Sequence, residues 1–301
     1  MLDVLKANSG DAEIGIIDDS IVDSPEFNIV PARAIEGTSY KTKIRTGNPT
    51  VSFRKANDGV TASKSNLELR DVECYIMSAR IQADKAVADV YPMGGAEAYF
   101  AEEAMHTFEA STELFGTQFY YGDILTSNGF PGLQSAVDTT MVYDATGTTA
   151  ATATSIYLVR MGPRDVQAVL GANGQLRLGD MREETITGNN SLDLPGYVAD
   201  LTAWIGLQST NKNSIARIYN VTEDSGKTAD DALIARGLEL FPASRQPTHI
   251  FMNKRSIWQL QRSRTATTTD GREAPLPTSV FGIPIVNTDS LVITEAIDQG
   301  I

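Results

Sequence analysis

The stretch from Gly94 to Asp123 constrains the fold of this chain more than any other part of it. It reads as one helix of about six turns, entered through Gly94-Gly95 and left at Gly116 or soon after, about residues 94–118. Phe100, Ala104, Phe108, Ser111 and Phe115 fall on one helical face, flanked by Met105 and Thr112. Glu97, Glu102, Glu103, Glu109 and Glu113 occupy the rest, and the stretch has no Lys or Arg. These carboxylates therefore have no basic partner one turn away. Either they form a solvated face, or positive charge reaches them from elsewhere in the chain or from another chain.

A second segment has the opposite charge. From Thr38 to Phe53 the residues are strand-forming, interrupted at Gly47-Asn48-Pro49, and Asn57-Asp58-Gly59 is a turn. A second strand runs from Leu67 to Ile81, with Asp71 and Glu73 breaking its alternation and marking a bulge or a change of environment. Between Gly37 and Ser65 stand Lys41, Lys43, Arg45, Arg54, Lys55 and Lys64 against Asp58 alone. A two-stranded hairpin is marginal in water by itself, so this one should lie against something. A basic hairpin and an acidic helix point to electrostatic complementarity across a subunit contact, with solvated or intrachain charge as the alternative.

Composition excludes several classes. A chain of 301 residues with 42% hydrophobic and 21% charged residues can bury a core in one or two lobes. A net charge of −13 argues against a dedicated nucleic-acid binder, but not against a protein that only encloses nucleic acid. Cys74 is the sole cysteine, so the fold cannot depend on an intrachain disulfide, which suits a reducing cytoplasm. The sequence has no membrane span, signal peptide or internal repeat.

Elsewhere the pattern predicts a short helix at Leu2–Lys6 and, from Asp11 to Pro31, an extended arm or a frayed terminus carrying Ile14, Ile16 and Ile17. Ala83–Tyr91 reads as a short helix and Thr139–Thr154 as a surface loop. The later lobe reads as a strand at Ser155–Met161, a helix at Pro163–Leu170, a hairpin arm at Gln175–Thr187, and strands at Tyr197–Leu207 and Ser214–Val221. A helix follows at Thr228–Phe241, capped by Thr228, then a strand at Thr248–Met252 and a helix from Asn253 to Arg264 with Trp258 in the core. Strands at Phe281–Val286 and Leu291–Thr294 close the chain. This is α+β, with no sustained βαβ rhythm.

Motifs for chemistry are missing. Gly226-Lys227-Thr228 ends like a phosphate loop, but Val221 replaces its first glycine and Glu223 and Asp224 would repel phosphate, so it reads as a turn. His106 has no second His or Cys one turn away and reads as a solvent-facing residue; His249 reads as structural. Cys74 has no companions for nucleophilic work. The basic helix with Lys254, Arg255, Arg262 and Arg264 faces solvent or another subunit. No catalytic, cofactor-binding or metal-binding residue is assigned.

The order of these elements resembles the major capsid protein of tailed bacteriophages, the Hong Kong-type capsid fold shared with encapsulins. The resemblance lies in Pro31–Gly59 for the extended loop, Glu73–Asp89 for the strand and helix after it, Gly129–Leu133 (GFPGL) for the turn after the spine helix, and Phe281–Glu295 for the closing strands. It implies an N-terminal arm (residues 1–36), an extended β-hairpin loop (37–82), a peripheral domain (83–130) built on the spine helix (94–118), and a mixed α/β axial domain (131–301) whose strands return to the peripheral domain. It implies a non-enzymatic shell protein that self-assembles through hexamers and pentamers into an icosahedral capsid enclosing double-stranded DNA, without sequence-specific binding and without a membrane. Assembly would occur in the host cytoplasm, with a portal and a separate scaffolding protein. In the family the extended loop lies over a neighbouring subunit. Lys41, Lys43, Arg45, Arg54 and Lys55 facing Glu102, Glu109 and Glu113 are therefore the candidate intersubunit contacts. The Lys–Asn cross-linking motif of some members has no match here. An encapsulin-type nanocompartment is the alternative, and a soluble enzyme or ligand-binding protein is disfavoured because no polar constellation converges.

Overall fold

The computed structural model describes residues 22–298 apart from Met93, Gln175, Asn189 and residues 268–271. The short helix expected at Leu2–Lys6 and most of the arm from Asp11 lie outside the described residues. The chain opens with α1 (Glu26–Ile29) and β1 (Ala32–Ala34), followed by a hairpin of β2 (Ser39–Gly47) and β3 (Asn66–Glu73). Strand β4 (Tyr75–Asp84) follows at once, then α2 (Lys85–Ala88) and the long helix α3 (Gly95–Tyr121). Two single-turn helices, α4 (Ile124–Ser127) and α5 (Leu133–Ala136), lead to β5 (Val142–Asp144), β6 (Thr154–Val159), β7 (Val166–Leu170), β8 (Arg177–Leu178), β9 (Arg182–Thr187), β10 (Asp193–Ser209) and β11 (Ile215–Val221). The remainder is α6 (Asp231–Glu239), β12 (His249–Met252), α7 (Lys254–Thr267), β13 (Ser279–Val280) and β14 (Ile283–Asn287).

The strands form two sheets beside the hairpin. One has the order β1-β7-β10-β4, with β8 and β9 also on β10; the other runs β13-β14-β12-β6-β11-β5. The 17-residue β10 is the axis of the first sheet: it pairs with β4 from Gly196 to Ile205 and with β7 from Ile205 to Ser209. Polar residues 210–213 then carry the chain into β11 of the other sheet.

Helix α3 bridges the two sheets. Phe115, Phe119 and Tyr120 enter a core shared with Ala203, Ile205 and Leu207 of β10, Tyr157 of β6 and Phe251 of β12. About four turns toward the N-terminus, Phe100 packs on Ile81 of β4 and Ala199 of β10. Each such ring contributes about 1.5–3 kcal/mol by leaving water, so this helix ties the lobes together. The second core, with Ile218, Ile250, Ile234 and Leu260, lies between the β6/β11/β12 sheet and helices α6 and α7.

The structure corrects several local expectations. Helix α3 continues through Gly116 to Tyr121, and Phe108 is not buried against the sheet: it is 42% exposed and meets the ring of Phe27 edge-on at 5.9 Å. Residues 166–170 form a strand instead of a helix, because β-branched Val166 and Val169 sit in a central strand paired with β10 on one side and β1 on the other. Strand β2 stops at Gly47, ahead of Pro49, which lacks the N–H a ladder needs. The expected strand from Leu67 to Ile81 is divided at Cys74, where the partner changes from β2 to β10. Ala83 and Asp84 are drawn into that ladder, which leaves only Lys85–Ala88 helical, capped by Asp84. Strands β8 and β9 each pair with β10 and not with one another.

Helix α6 is capped by Asp230, whose carboxylate accepts from Leu233 N at 2.6 Å, and not by Thr228. The stretch 139–154 is more than a surface loop, for it contains β5 and buries Met141 and Ala153. Residues 291–294 are not a strand; a single bridge at Glu295 joins Ala153.

Candidate functional site

The hairpin projects from its base. There Tyr40 packs with Val72, Cys74, Val169 and Trp204, and Cys74 N donates to Thr38 O at 2.8 Å. Burial pushes the Cys74 thiol up, and its side chain packs in this cluster. Residues directly opposite in an antiparallel pair share a face. Lys41, Lys43 and Arg45 therefore stand on one exposed face beside Asp71, Leu69 and Leu67, their partners in register. Leu67 and Leu69 are exposed, and Lys41 has an intrachain partner in Asp71 at 3.7 Å.

Beyond Gly47 the chain leaves regular structure until Asn66. Within this tip Thr50 N donates to Ser63 Oγ at 2.8 Å, and Arg54 Nη1 donates to Asp58 O at 2.8 Å. Val51, Phe53 and Val60 are solvent-exposed, Phe53 fully so. The sequence places Val51 and Phe53 in the strand-forming stretch from Thr38, but regular pairing ends at Gly47 and leaves both on the tip.

The acidic candidates lie on helix α3. Glu109 and Glu113 are exposed, whereas Glu102 is half-buried and accepts the Tyr91 hydroxyl. Among the described residues no ion pair joins a hairpin cation to Glu102, Glu109 or Glu113 within the chain. Next to Glu113, Leu114 is exposed at the mouth of an apolar groove of about 180 Å³ between α3, α4 and β4. Its walls include Ile76, Met77, Leu114, Phe115, Phe130 and Ile205. Sequence reasoning missed this groove, because its walls are distant in sequence.

The GFPGL turn shapes the groove. Gln118 Nε2 donates to Phe130 O at 2.6 Å and to Ser127 Oγ at 2.9 Å. A Cβ on Gly129 would lie 2.5 Å from that same Nε2, and one on Gly132 would lie 2.6 Å from Gly122 N. Side chains at these positions would push the turn off the helix end.

The remaining sequence candidates are separate. His106 is exposed on α3, and among the described residues no group of three His, Cys, Asp or Glu could hold a metal. Burial lowers the His249 pKa from its ordinary value. Gly226-Lys227-Thr228 is a turn: Lys227 N donates to Asp224 O at 3.0 Å, and Gly226 has φ +74°. Asp224, held below the usual carboxylate range by the Thr149 hydroxyl first and by Thr148 N and Thr222, pins this turn. No helix among the described residues is long and apolar enough to cross a membrane.

A family model described as major capsid protein GP7 matches residues 28–297. The chain belongs to that family. Its fold agrees with solved capsids: it is similar to a structure of bacteriophage Epsilon15, with TM-score 0.72 and 17% identity over 98% of this chain and 96% of that one. It is also similar to the bacteriophage JBD30 capsid, with TM-score 0.56 and 11% identity over 96% and 98% of the two chains. The SrpI encapsulin of Synechococcus elongatus aligns at TM-score 0.48 and 10% identity over 74% and 95%. No curated protein matches the chain in sequence. The protein is thus a structural major capsid protein with the tailed-phage capsid fold, and its elements can be read in those terms. Helix α3 contains the expected spine helix (94–118), and β2–β3 lies within the expected extended loop (37–82).

Proposed function

We propose that copies of this capsid protein assemble through hexamers and pentamers into a closed shell around double-stranded DNA, with the extended loop of each copy lying over the spine helix of a neighbour. The loop (residues 37–82), the arm (1–36), the peripheral domain (83–130) and the axial domain (131–301) are the units of that assembly. The observation that carries the proposal is the loop tip. A fully exposed phenylalanine with Val51 and Val60, on a projection rich in Lys and Arg, is an unpartnered surface among the described residues. Its charge is opposite to that of Glu109 and Glu113. Assembly would take place in the host cytoplasm, with a separate scaffold and a portal, and the DNA would be enclosed and not read in sequence. The protein acts by contact and not by chemistry.

Charge reversal tests the contact. Arg54→Glu alone and Glu109→Lys alone should each weaken shell formation at low salt, and the double reversal should restore part of it; assembly is followed by size exclusion and negative-stain microscopy. Single reversals that assemble like the parent chain would sink the contact. A stable monomer at high concentration would sink the shell reading itself, and shells filled with cargo protein instead of DNA would favour a nanocompartment.

A further inference from the structure

The first turn of α7 and the closing segment form a second groove, far in sequence from the loop and spine helix. Asn253 holds the two together: its Oδ1 accepts from Arg255 N at 3.0 Å, while its Nδ2 donates to Leu291 O at 2.6 Å. Arg255 Nη1 then donates to Ile293 O at 3.2 Å. Between these walls lies a cavity of about 570 Å³ lined by Lys254, Arg255, Trp258, Leu291, Val292 and Ile293. Trp258, expected in the core, is 47% exposed, and Val292 and Ile293 are 44% and 41% exposed.

The groove is also cationic. Among the described residues neither Lys254 nor Arg255 has a carboxylate at ion-pair distance. Arg255 spends its guanidinium on backbone carbonyls, and its buried Nε has no partner. An occupant of fitting chemistry is a peptide that alternates aliphatic side chains with carboxylates. Nucleic acid fits less well, because three aliphatic side chains line the walls and Arg264 is already tied to Asp231 at 2.7 Å.

Such a peptide leads directly to the rim. Asp289, on the groove's edge, donates its N–H to Asp23 O at 3.0 Å and accepts from Asp23 N at 3.4 Å. Upstream of Asp23 the sequence carries Ile14, Ile16, Ile17 and Ile21 among Asp11, Glu13, Asp18 and Asp19, with no Lys or Arg from Ala7 to Val22. Seven extended residues reach about 23 Å, enough to cross the groove from its rim. We propose that residues 14–21 dock in this groove of their own chain, with isoleucines against Trp258, Val292 and Ile293 and with Asp18 and Asp19 toward Lys254 and Arg255. The contact fixes the path of the N-terminal arm over the axial domain. Tethering so close to the site gives the segment a high effective concentration, so weak individual contacts suffice.

Trp258 reports on this directly, since the chain has two tryptophans and Trp204→Phe leaves it alone. In that background, acrylamide should quench Trp258 weakly in the full chain. Ile16→Ser with Ile17→Ser, Asp18→Lys with Asp19→Lys, or Lys254→Glu should each raise quenching, and protection should not change on dilution. A synthetic peptide of residues 11–22 should protect Trp258 in a chain lacking residues 1–21, with affinity reduced about five-fold by Lys254→Glu, a factor set by one strong surface ion pair. If the truncated chain does not fold, the substitutions in the full chain still decide. Quenching that no substitution changes, or protection that appears only as concentration rises, would overturn the proposal.

Discussion

Gly116→Ala sets two effects of opposite sign against each other within the spine helix. In an isolated helix, alanine for glycine gains about 1 kcal/mol. Here the new methyl would point into a buried polar junction. It would press well inside contact distance of Ser290 Oγ, and lie 3.1 Å from Ser24 Oγ and 3.2 Å from Glu26 Oε2. Glu26 is fully buried and accepts the Tyr120 hydroxyl at 2.7 Å and Ser290 Oγ at 3.4 Å, while the Ser24 and Ser290 hydroxyls meet at 3.0 Å. Moving Ser290 aside breaks one neutral hydrogen bond, worth about 1 kcal/mol, and one to a carboxyl group, worth about 1.5–3 kcal/mol. Set against the helix gain, the net expected loss is about 1.5–3 kcal/mol. Urea unfolding of the unassembled subunit measures it, and Ser290→Gly in the same chain should make the alanine nearly neutral, because the obstructing hydroxyl is gone. A Gly116→Ala subunit as stable as the parent, or more so, would refute the reasoning.

Three further outcomes follow from the same geometry. Burial raises the Glu26 pKa above its ordinary 4.5, and four hydrogen bonds only partly oppose that, so the folded state holds the proton more tightly than the unfolded chain. The stability that Glu26 contributes is therefore fullest below about 4.5 and is lost as pH rises through the folded value; Glu26→Gln should remove that component from unfolding curves taken across the range. Arg217 is buried between Glu295 at 3.3 Å and Asp298 at 3.1 Å, so Arg217→Met should cost about 3–5 kcal/mol and expose residues 291–298 to protease; a loss under about 1 kcal/mol would contradict it. Phe53→Ser should leave subunit stability within about 0.5 kcal/mol yet raise the concentration needed for shells, and unchanged assembly would show that the tip is not a contact.

The elements legible in the sequence are those whose residues answer to local rules. The spine helix shows in its run of turn-spaced aromatic residues, the hairpin in its alternation and its Asn-Asp-Gly turn, and α7 in the Asn253 cap that the structure retains. The errors fall where a distant partner overrides local preference. Residues 163–170 carry a helix's punctuation, Pro163 and Gly171, yet β1 and β10 claim both edges of that stretch. Trp258 follows a core-like spacing, but the helix presents it to an open groove. Of the proposed contact, the charges of Lys41, Lys43, Arg45, Arg54 and Lys55 and of the spine-helix glutamates were readable from the sequence. The apolar half, Val51 and Phe53 at the tip and the groove beside Leu114, was not.

The sequence by itself determined the periodicities, the caps and the charge carried by each segment, because those depend on neighbours within a turn or two along the chain. Only the tertiary structure decided which strands share a sheet, that Gly116 sits over a buried carboxyl, and that the described residues shape two grooves. Each of these is a matter of which surfaces meet between segments beyond local reach in the chain, and a surface left unburied shows only once the rest of the core has closed.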